Sequence, residues 1–504
     1  MLLRPLIRSA AALAVGSAAL VAAPVAASAA PVTCLGKPVT IVATTGVTQG
    51  TEGDDVVAME PGEWNNFDAK GGNDTICLAA GKPDDNDRDP RPPSGILDAG
   101  AGDDMVVNLT PAGTKGIFST VVLGLGNDSF QGANVGETVY AEDRIADFAD
   151  PYALDPTFTA PQTDTVTGAA TVFSAAPVDG ANQDSVTFGA GASARLVLEG
   201  PQAPAGVLDF SAAASGLLEM RGPRRLSSGE VYVDNAGRNL SADGASLVSW
   251  IGDVDSFHFG TPHGGSSDPI ISFAGTDADE SFAVTDGPVG DVVLGGGDDR
   301  LHVEGLNSAF IPRSADGGPG KDTVDLDTTC HHMVVRLEGA ATCDGAAGSV
   351  AGFEDVGAGA SWDDGSLRLV GTKHSERLVA SAQQVSVRGR AGADEIGVDE
   401  SYRARVSGGP GRDRLWVSGD DVVVRGQRGN DRIILQGSGG LSPVGRNPRW
   451  RQHAYGGPGR DLLIGTTDAR PDRLLGGPGR DKANGRKGDR DLCRAEVTKR
   501  CERR

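Results

Sequence analysis

The chain has 504 residues, of which 73 are Gly and 28 Pro, while aromatics make up only 5% and the formal net charge is −22. Gly costs roughly 0.5–1 kcal/mol inside a regular element, so this density excludes long helices, and the lack of a three-residue period excludes collagen. The hydrophobic residues, 39% of the chain, fall in short β-branched clusters, which excludes wholesale disorder.

Charge is unevenly spread. Residues 368–504 hold 28 Lys and Arg against 17 Asp and Glu, whereas the rest holds 18 against 51. The acidic excess argues against a nucleic-acid partner and asks for bound cations. In the basic end Arg alternates with Asp, which reads as a solvated face with local ion pairs.

The first residues read as a signal peptide. Arg4 and Arg8 form a charged start, Ala10 to Val25 an apolar run broken by Pro24, and Ala27-Ser28-Ala29 a small-residue cleavage site. Cleavage is expected after Ala29, and no later segment has enough consecutive apolar residues to span a membrane. The expected location is therefore extracellular, as a secreted protein. Six cysteines in an exported chain point to oxidised pairs, and their placement suggests local ones: Cys34–Cys77, Cys330–Cys343 and Cys493–Cys501.

One pattern then recurs: Gly, often Gly, any residue, Gly, any residue, Asp, any residue, aliphatic. Clear copies are Gly295 to Leu301, with Asp299; Gly317 to Val324, with Asp322; and Gly408 to Leu415, with Asp413. Gly456 to Asp461 and Gly476 to Asp481 follow, and looser copies place Asp at Asp55, Asp74, Asp104, Asp128, Asp394 and Asp431. Separations of 19 (Asp55 to Asp74), 19 (Asp394 to Asp413), 18 (Asp413 to Asp431) and 20 (Asp461 to Asp481) fit two units of a tight turn plus a short strand. Short strands such as Val385-Ser386-Val387 and Ile433-Ile434-Leu435 lie between the turns. This spacing describes a coil whose rungs stack in parallel and bury one another's aliphatic residues.

Gaps of 30 residues, from Asp74 to Asp104 and from Asp431 to Asp461, read as insertions at turns, the polar loops Pro83–Pro90 and Gly445–Arg451. Residues 130 to 290 lack clean glycine turns but retain β-prone pieces such as Ser185-Val186-Thr187-Phe188 and Ser256-Phe257-His258-Phe259. They read as further rungs without metal turns, with a separate β-sandwich as the competing reading.

A glycine-rich turn can direct backbone carbonyls inward, and the following Asp adds a carboxylate to the same concavity. Ca²⁺ takes six to eight hard oxygens in flexible geometry, which such stacked turns can supply. The repeat resembles the calcium-binding nonapeptide repeats of the RTX, or haemolysin-type, family, over residues 50–128, 295–325 and 389–482. The opening Cys34-Leu35-Gly36-Lys37-Pro38 and closing Cys493…Cys501 are also similar to secreted actinobacterial proteins of this type. The resemblance implies calcium-dependent folding outside the cell, with Asp55, Asp74, Asp104, Asp128, Asp299, Asp322, Asp394, Asp413, Asp431, Asp461 and Asp481 as ligands. Arg412, Arg460, Arg480 and Lys321 stand where the family prefers Asn or Asp, so a cation paired to the neighbouring Asp is an alternative to the metal.

Catalytic signatures are missing from the sequence: it has neither H-E-x-x-H nor G-x-S-x-G. Asp298-Asp299, Asp363-Asp364 and Asp420-Asp421 are candidate acid/base pairs of a polysaccharide lyase or hydrolase, but alternate strand residues face opposite sides. The expectation is an all-β, right-handed parallel β-helix or β-roll with disulfide-stapled ends, no catalytic activity and no catalytic residues. Its partners are calcium ions, with an adhesin that docks its basic last third on an anionic envelope polymer as an alternative. Its organisation is a leader (1–29), an N-terminal calcium-repeat β-helix (30–130) and a degenerate β-helix or separate β domain (131–290). Calcium-repeat rungs with a disulfide-containing insertion (291–365) and a calcium-repeat β-roll with its cap (366–504) complete it.

Overall fold

The computed structural model describes residues 32–43, 46–59, 65–78, 95–109, 118–133, 136–142, 162–177, 180–221, 229–260, 268–305, 310–361, 363–437, 452–467, 471–486 and 491–501. The leader and the loops Pro83–Pro90 and Gly445–Arg451 lie outside them. Every regular element among the described residues is a β-strand, mostly three to seven residues long.

The strands are short because glycine-rich turns interrupt them, and they stack because one rung buries only half a hydrophobic surface. Nearly every strand pairs in parallel with the equivalent strand of the next turn of chain. In one stack Val57, Ile76, Val106, Phe130, Val166, Val186 and Leu208 align residue for residue. In the other an inward-facing column runs from Phe67 through Leu97, Val121, Val139, Val172, Leu196, Leu218, Phe257 and Phe282. It continues unbroken through Leu301, Val324, Val356, Leu378, Ile396, Leu415, Ile433 and Leu463 to Ala483. All of these side chains are buried, and they meet in one continuous core. The fold is all-β and rich in parallel pairing, consistent with a β-roll or β-helix.

Parallel pairing also continues from Thr165 to Thr285, where glycine turns are scarce. Phe188, Phe210, Trp250, Phe257, Phe273 and Phe282 thicken the core there through offset ring contacts. Two antiparallel excursions leave the coil, at Glu230–Asp234/Asn239–Ala242/Ala245–Ser249 and at His332–Arg336/Gly339–Cys343/Ala346–Ala351. Disulfides join Cys34 to Cys77, Cys330 to Cys343 and Cys493 to Cys501, the pairs that local placement suggests. The first and last sit near the two ends of the described coil, and the second ties the later excursion. No helix among the described residues is long and apolar enough to cross a membrane.

Candidate metal centre: the acidic turns

Each glycine–aspartate turn ends in an Asp whose side chain folds back under the turn and is buried. Asp74, Asp104, Asp128, Asp299, Asp322, Asp394, Asp413, Asp431, Asp461 and Asp481 are at most 2% exposed, and Asp55 is 7% exposed. In all of these but Asp55, one carboxylate oxygen has a fixed partner, the backbone N–H of the equivalent residue one rung back. Asp55, Asp74 and Asp104 thus donate to Oδ1 of Asp74, Asp104 and Asp128, each at 2.7 Å. Asp394, Asp413, Asp431 and Asp461 donate to Oδ1 of Asp413, Asp431, Asp461 and Asp481, each at 2.9 Å. The turns form a ladder in which every carboxylate but that of Asp55 is held by its neighbour's backbone.

The other oxygen differs. Oδ2 of Asp74, Asp104, Asp128, Asp299, Asp322, Asp394, Asp413, Asp431, Asp461 and Asp481 is buried and makes no hydrogen bond. It lies against the first glycine of the turn: a Cβ on Gly408 would sit 2.1 Å from Asp413 Oδ2, and one on Gly456 2.2 Å from Asp461 Oδ2. The residue four before Asp has left-handed backbone even where it is not glycine, as at Lys70 (φ 73°), Arg390 (φ 77°) and Gln427 (φ 78°). At Gly409 this conformation sends the N–H to the carbonyl of Gly426 on the next rung, away from the carboxylate.

A buried column of carboxylates is costly while charged. Burial is the main cause that pushes Asp74, Asp299, Asp431 and Asp461 up to about 6, Asp104 and Asp413 up to about 7, and Asp128 up to about 8. Burial likewise raises Asp322, Asp394 and Asp481. Nearby cations do not provide relief. Arg412, Arg460, Arg480 and Lys321 are exposed, and none is ion-paired to the carboxylate beside it. The alternative in which these cations replace the metal is therefore not realised in the structure.

Three turns carry donors of their own; two of them satisfy both carboxylate oxygens, while Glu376 Oε2 stays buried without a hydrogen bond. The position four before the acid is threonine, and its N–H turns inward. Thr51 donates N–H (2.8 Å) and hydroxyl (3.0 Å) to Asp55 Oδ2. Thr276 donates N–H (2.9 Å) and hydroxyl to Glu280, and Thr372 donates N–H (3.1 Å) and hydroxyl to Glu376. These acids start the three ladders. Asp55 precedes Asp74; Glu280 N–H donates to Asp299 Oδ1; and Glu376 N–H donates to Asp394 Oδ1. Asp55 thus differs from the other ten Asp residues singled out in the sequence, because neither of its oxygens is left over.

The ladders also contain acids that the glycine pattern does not mark. Asp128 N–H donates to Asp164 Oδ1 and Asp164 N–H to Asp184 Oδ1, each at 2.8 Å. Glu354 and Glu496 accept the last N–H groups, from Asp322 at 2.9 Å and Asp481 at 2.6 Å. A second edge carries Asp472, whose N–H donates to Asp491 Oδ1 at 2.9 Å. The signal that finds most of them is an acid two residues before an inward aliphatic or aromatic residue, as in Asp164-Thr165-Val166, Glu280-Ser281-Phe282 and Glu376-Arg377-Leu378.

Calcium fits this donor set. The ten orphaned oxygens are hard, anionic and buried, as Ca²⁺ prefers. Among the described residues no three Asp, Glu, His or Cys side chains converge as a metal cluster, so turn carbonyls would have to complete any coordination shell. When bound, Ca²⁺ supplies the positive charge that the ladder lacks.

Comparison with protein families agrees with the geometry. Residues 407–437, which hold Asp413 and Asp431, match the RTX calcium-binding nonapeptide repeat in four copies. Comparison with curated proteins finds no match. RTX nonapeptide repeats bind Ca²⁺, which makes calcium the metal of the matched repeat.

Proposed function

We propose that this chain, whose residues 407–437 match the RTX calcium-binding nonapeptide repeat, is secreted as a loose chain and folds into a right-handed parallel β-helix on meeting extracellular Ca²⁺. In this reading it serves as a non-catalytic scaffold or surface-interaction protein. The observation that carries the reading is that the ten glycine-turn aspartates each keep one buried oxygen without a hydrogen-bond partner. Inside the cell, where free Ca²⁺ is scarce, these charges oppose compaction. Outside, binding to the folded turns alone stabilises them by RT ln(1 + [L]/Kd), with Kd on the order of 10⁻⁴–10⁻³ M for extracellular modules. Right-handedness follows the rule for parallel crossover connections. Three disulfides support an oxidising destination.

The candidate catalytic pairs are otherwise engaged, which supports a scaffold over a polysaccharide-degrading enzyme. Asp298 accepts the Lys321 N–H at 3.0 Å and donates its own to Asp279 at 2.8 Å, while Asp299 belongs to the ladder. Asp421 is ion-paired with Arg403 and Arg405. Asp364 lies on the surface 3.5 Å from His331 Nε2.

Far-UV circular dichroism of residues 30–504, disulfides intact, tests the reading during a Ca²⁺ titration after chelation. A gain of β signal at millimolar Ca²⁺, with Mg²⁺ unable to substitute, is expected. A spectrum fully folded in chelator at pH 8 would overturn calcium-coupled folding.

A further inference from the structure

The outer face of the C-terminal ladder carries an open groove about 770 Å³ in volume, lined by Arg412, Arg414, Trp416, Asn430, Arg432 and Arg460. Its layout follows from the register. Residues 412, 414 and 416 alternate outward on one rung, with 430, 432 and 434 on the next, because Arg414 pairs with Arg432 and Trp416 with Ile434. Rungs lie about 4.8 Å apart, so the guanidinium groups form a grid of positive charge along the coil axis.

These arginines differ from those nearby. Arg300 is ion-paired with Asp325 at 2.6 Å, Arg377 with Asp355 at 3.1 Å and Arg405 with Asp421 at 2.7 Å. Arg412, Arg414, Arg432 and Arg460 are exposed and join no ion pair among the described residues. Trp416 is half-buried and packs on Gly397: a Cβ on Gly397 would sit 2.5 Å from the indole, so a larger residue there would displace the ring. The result is a flat aromatic platform beside four unpaired planar cations.

We propose that this groove binds an acidic polysaccharide bearing carboxylates, with a sugar ring on Trp416 and uronate groups on the arginines. Guanidinium groups match carboxylates in bidentate geometry. Glu395, in register with Arg414, also lines the groove and offers an acceptor for sugar hydroxyls. A DNA backbone has no such hydroxyl donors, and a single-stranded nucleic acid needs successive stacking platforms where the groove offers one. The proposal rests on the folded rungs of the calcium reading, because Asp413 and Asp431 sit beneath the groove.

The test is titration of the calcium-loaded full chain with oligogalacturonate, followed by Trp fluorescence and calorimetry. Binding that weakens as salt is raised is expected, with neutral dextran inert. Arg414→Ser with Arg432→Ser is expected to lower affinity about tenfold or more while the far-UV spectrum in calcium is unchanged. Trp416→Ala should also weaken binding but leave the salt dependence intact. Absence of oligogalacturonate binding by a folded, calcium-loaded chain would overturn the groove assignment and leave calcium-coupled folding standing. Equal affinity in the double Arg variant, or tighter binding of oligo-dT, would overturn it as well. Loss of the β signal itself in the parent chain would instead count against the calcium reading.

Discussion

Two kinds of turn stand in the ladders and differ in what occupies the position four before the acid. At Glu280 the residue four positions earlier is Thr276, whose N–H reaches both carboxylate oxygens and whose hydroxyl reaches one of them. At Asp413 that position is Gly409 in left-handed backbone, its N–H is spent on the next rung, and Oδ2 is left unpaired. The Thr51 and Thr276 turns complete themselves with neutral donors. The glycine turns trade that completeness for close stacking and leave a charge that only a cation or a proton can settle. Dependence on calcium is thus written turn by turn.

The largest expected effect uses protons to break the comparison. The ordinary Asp value is 3.8, whereas the ladder carboxylates sit at about 6 for Asp74 and Asp431, about 7 for Asp104 and Asp413, and about 8 for Asp128. Between these values the folded state holds protons that the unfolded chain has released, so protons favour folding. In chelator, stability should be fully present below about pH 4 and fall as pH rises through 6 to 8. Saturating Ca²⁺ should flatten that fall. Thermal melts across pH with and without calcium check it, and an apo chain that is more stable at pH 8 than at pH 5 would contradict it.

Stacking comes next. A Cβ on Gly411 would lie 1.4 Å from the carbonyl oxygen of Gly392, and neither backbone can retreat without opening the ladder. Gly411→Ala should therefore cost about 3 kcal/mol or more, read by denaturant unfolding in calcium. Thr372→Val should cost about 1–3 kcal/mol, because it removes the hydroxyl donor to a buried carboxylate. That loss is expected in chelator as well, because the Thr372 hydroxyl bonds Glu376 directly. Asp431→Asn gives the smallest and sharpest signal. It preserves an acceptor for the Asp413 N–H but removes one buried charge. Calcium stoichiometry by calorimetry should drop, while the melting temperature in chelator at pH 8 should rise.

Much of the coil was readable in the residues themselves. Glycine and Asp at an interval near 19 specify a turn at each rung, and the aliphatic residue two places after Asp specifies what each rung buries. Both are local, so the repeat at 408–415 and the strands beside it could be placed without knowing their neighbours. Pairing of near cysteines was legible for the same reason. The rest depended on what lies a rung away. Asp164 and Asp184 carry no glycine signature, yet their carboxylates accept N–H groups from Asp128 and Asp164. Asp55 bears the motif as well as Asp413 does, but only the folded turn shows that Thr51 saturates it. Likewise Arg412 and Arg414 stand beside acids in the chain, and only the strand register turns them outward and unpaired into the groove with Trp416. The sequence by itself determined where the chain turns and what it buries, because those are properties of a few consecutive residues. Which carboxylates lack a partner, and which cations do, was decided by tertiary structure, because hydrogen-bond satisfaction is settled between rungs 18 to 36 residues apart.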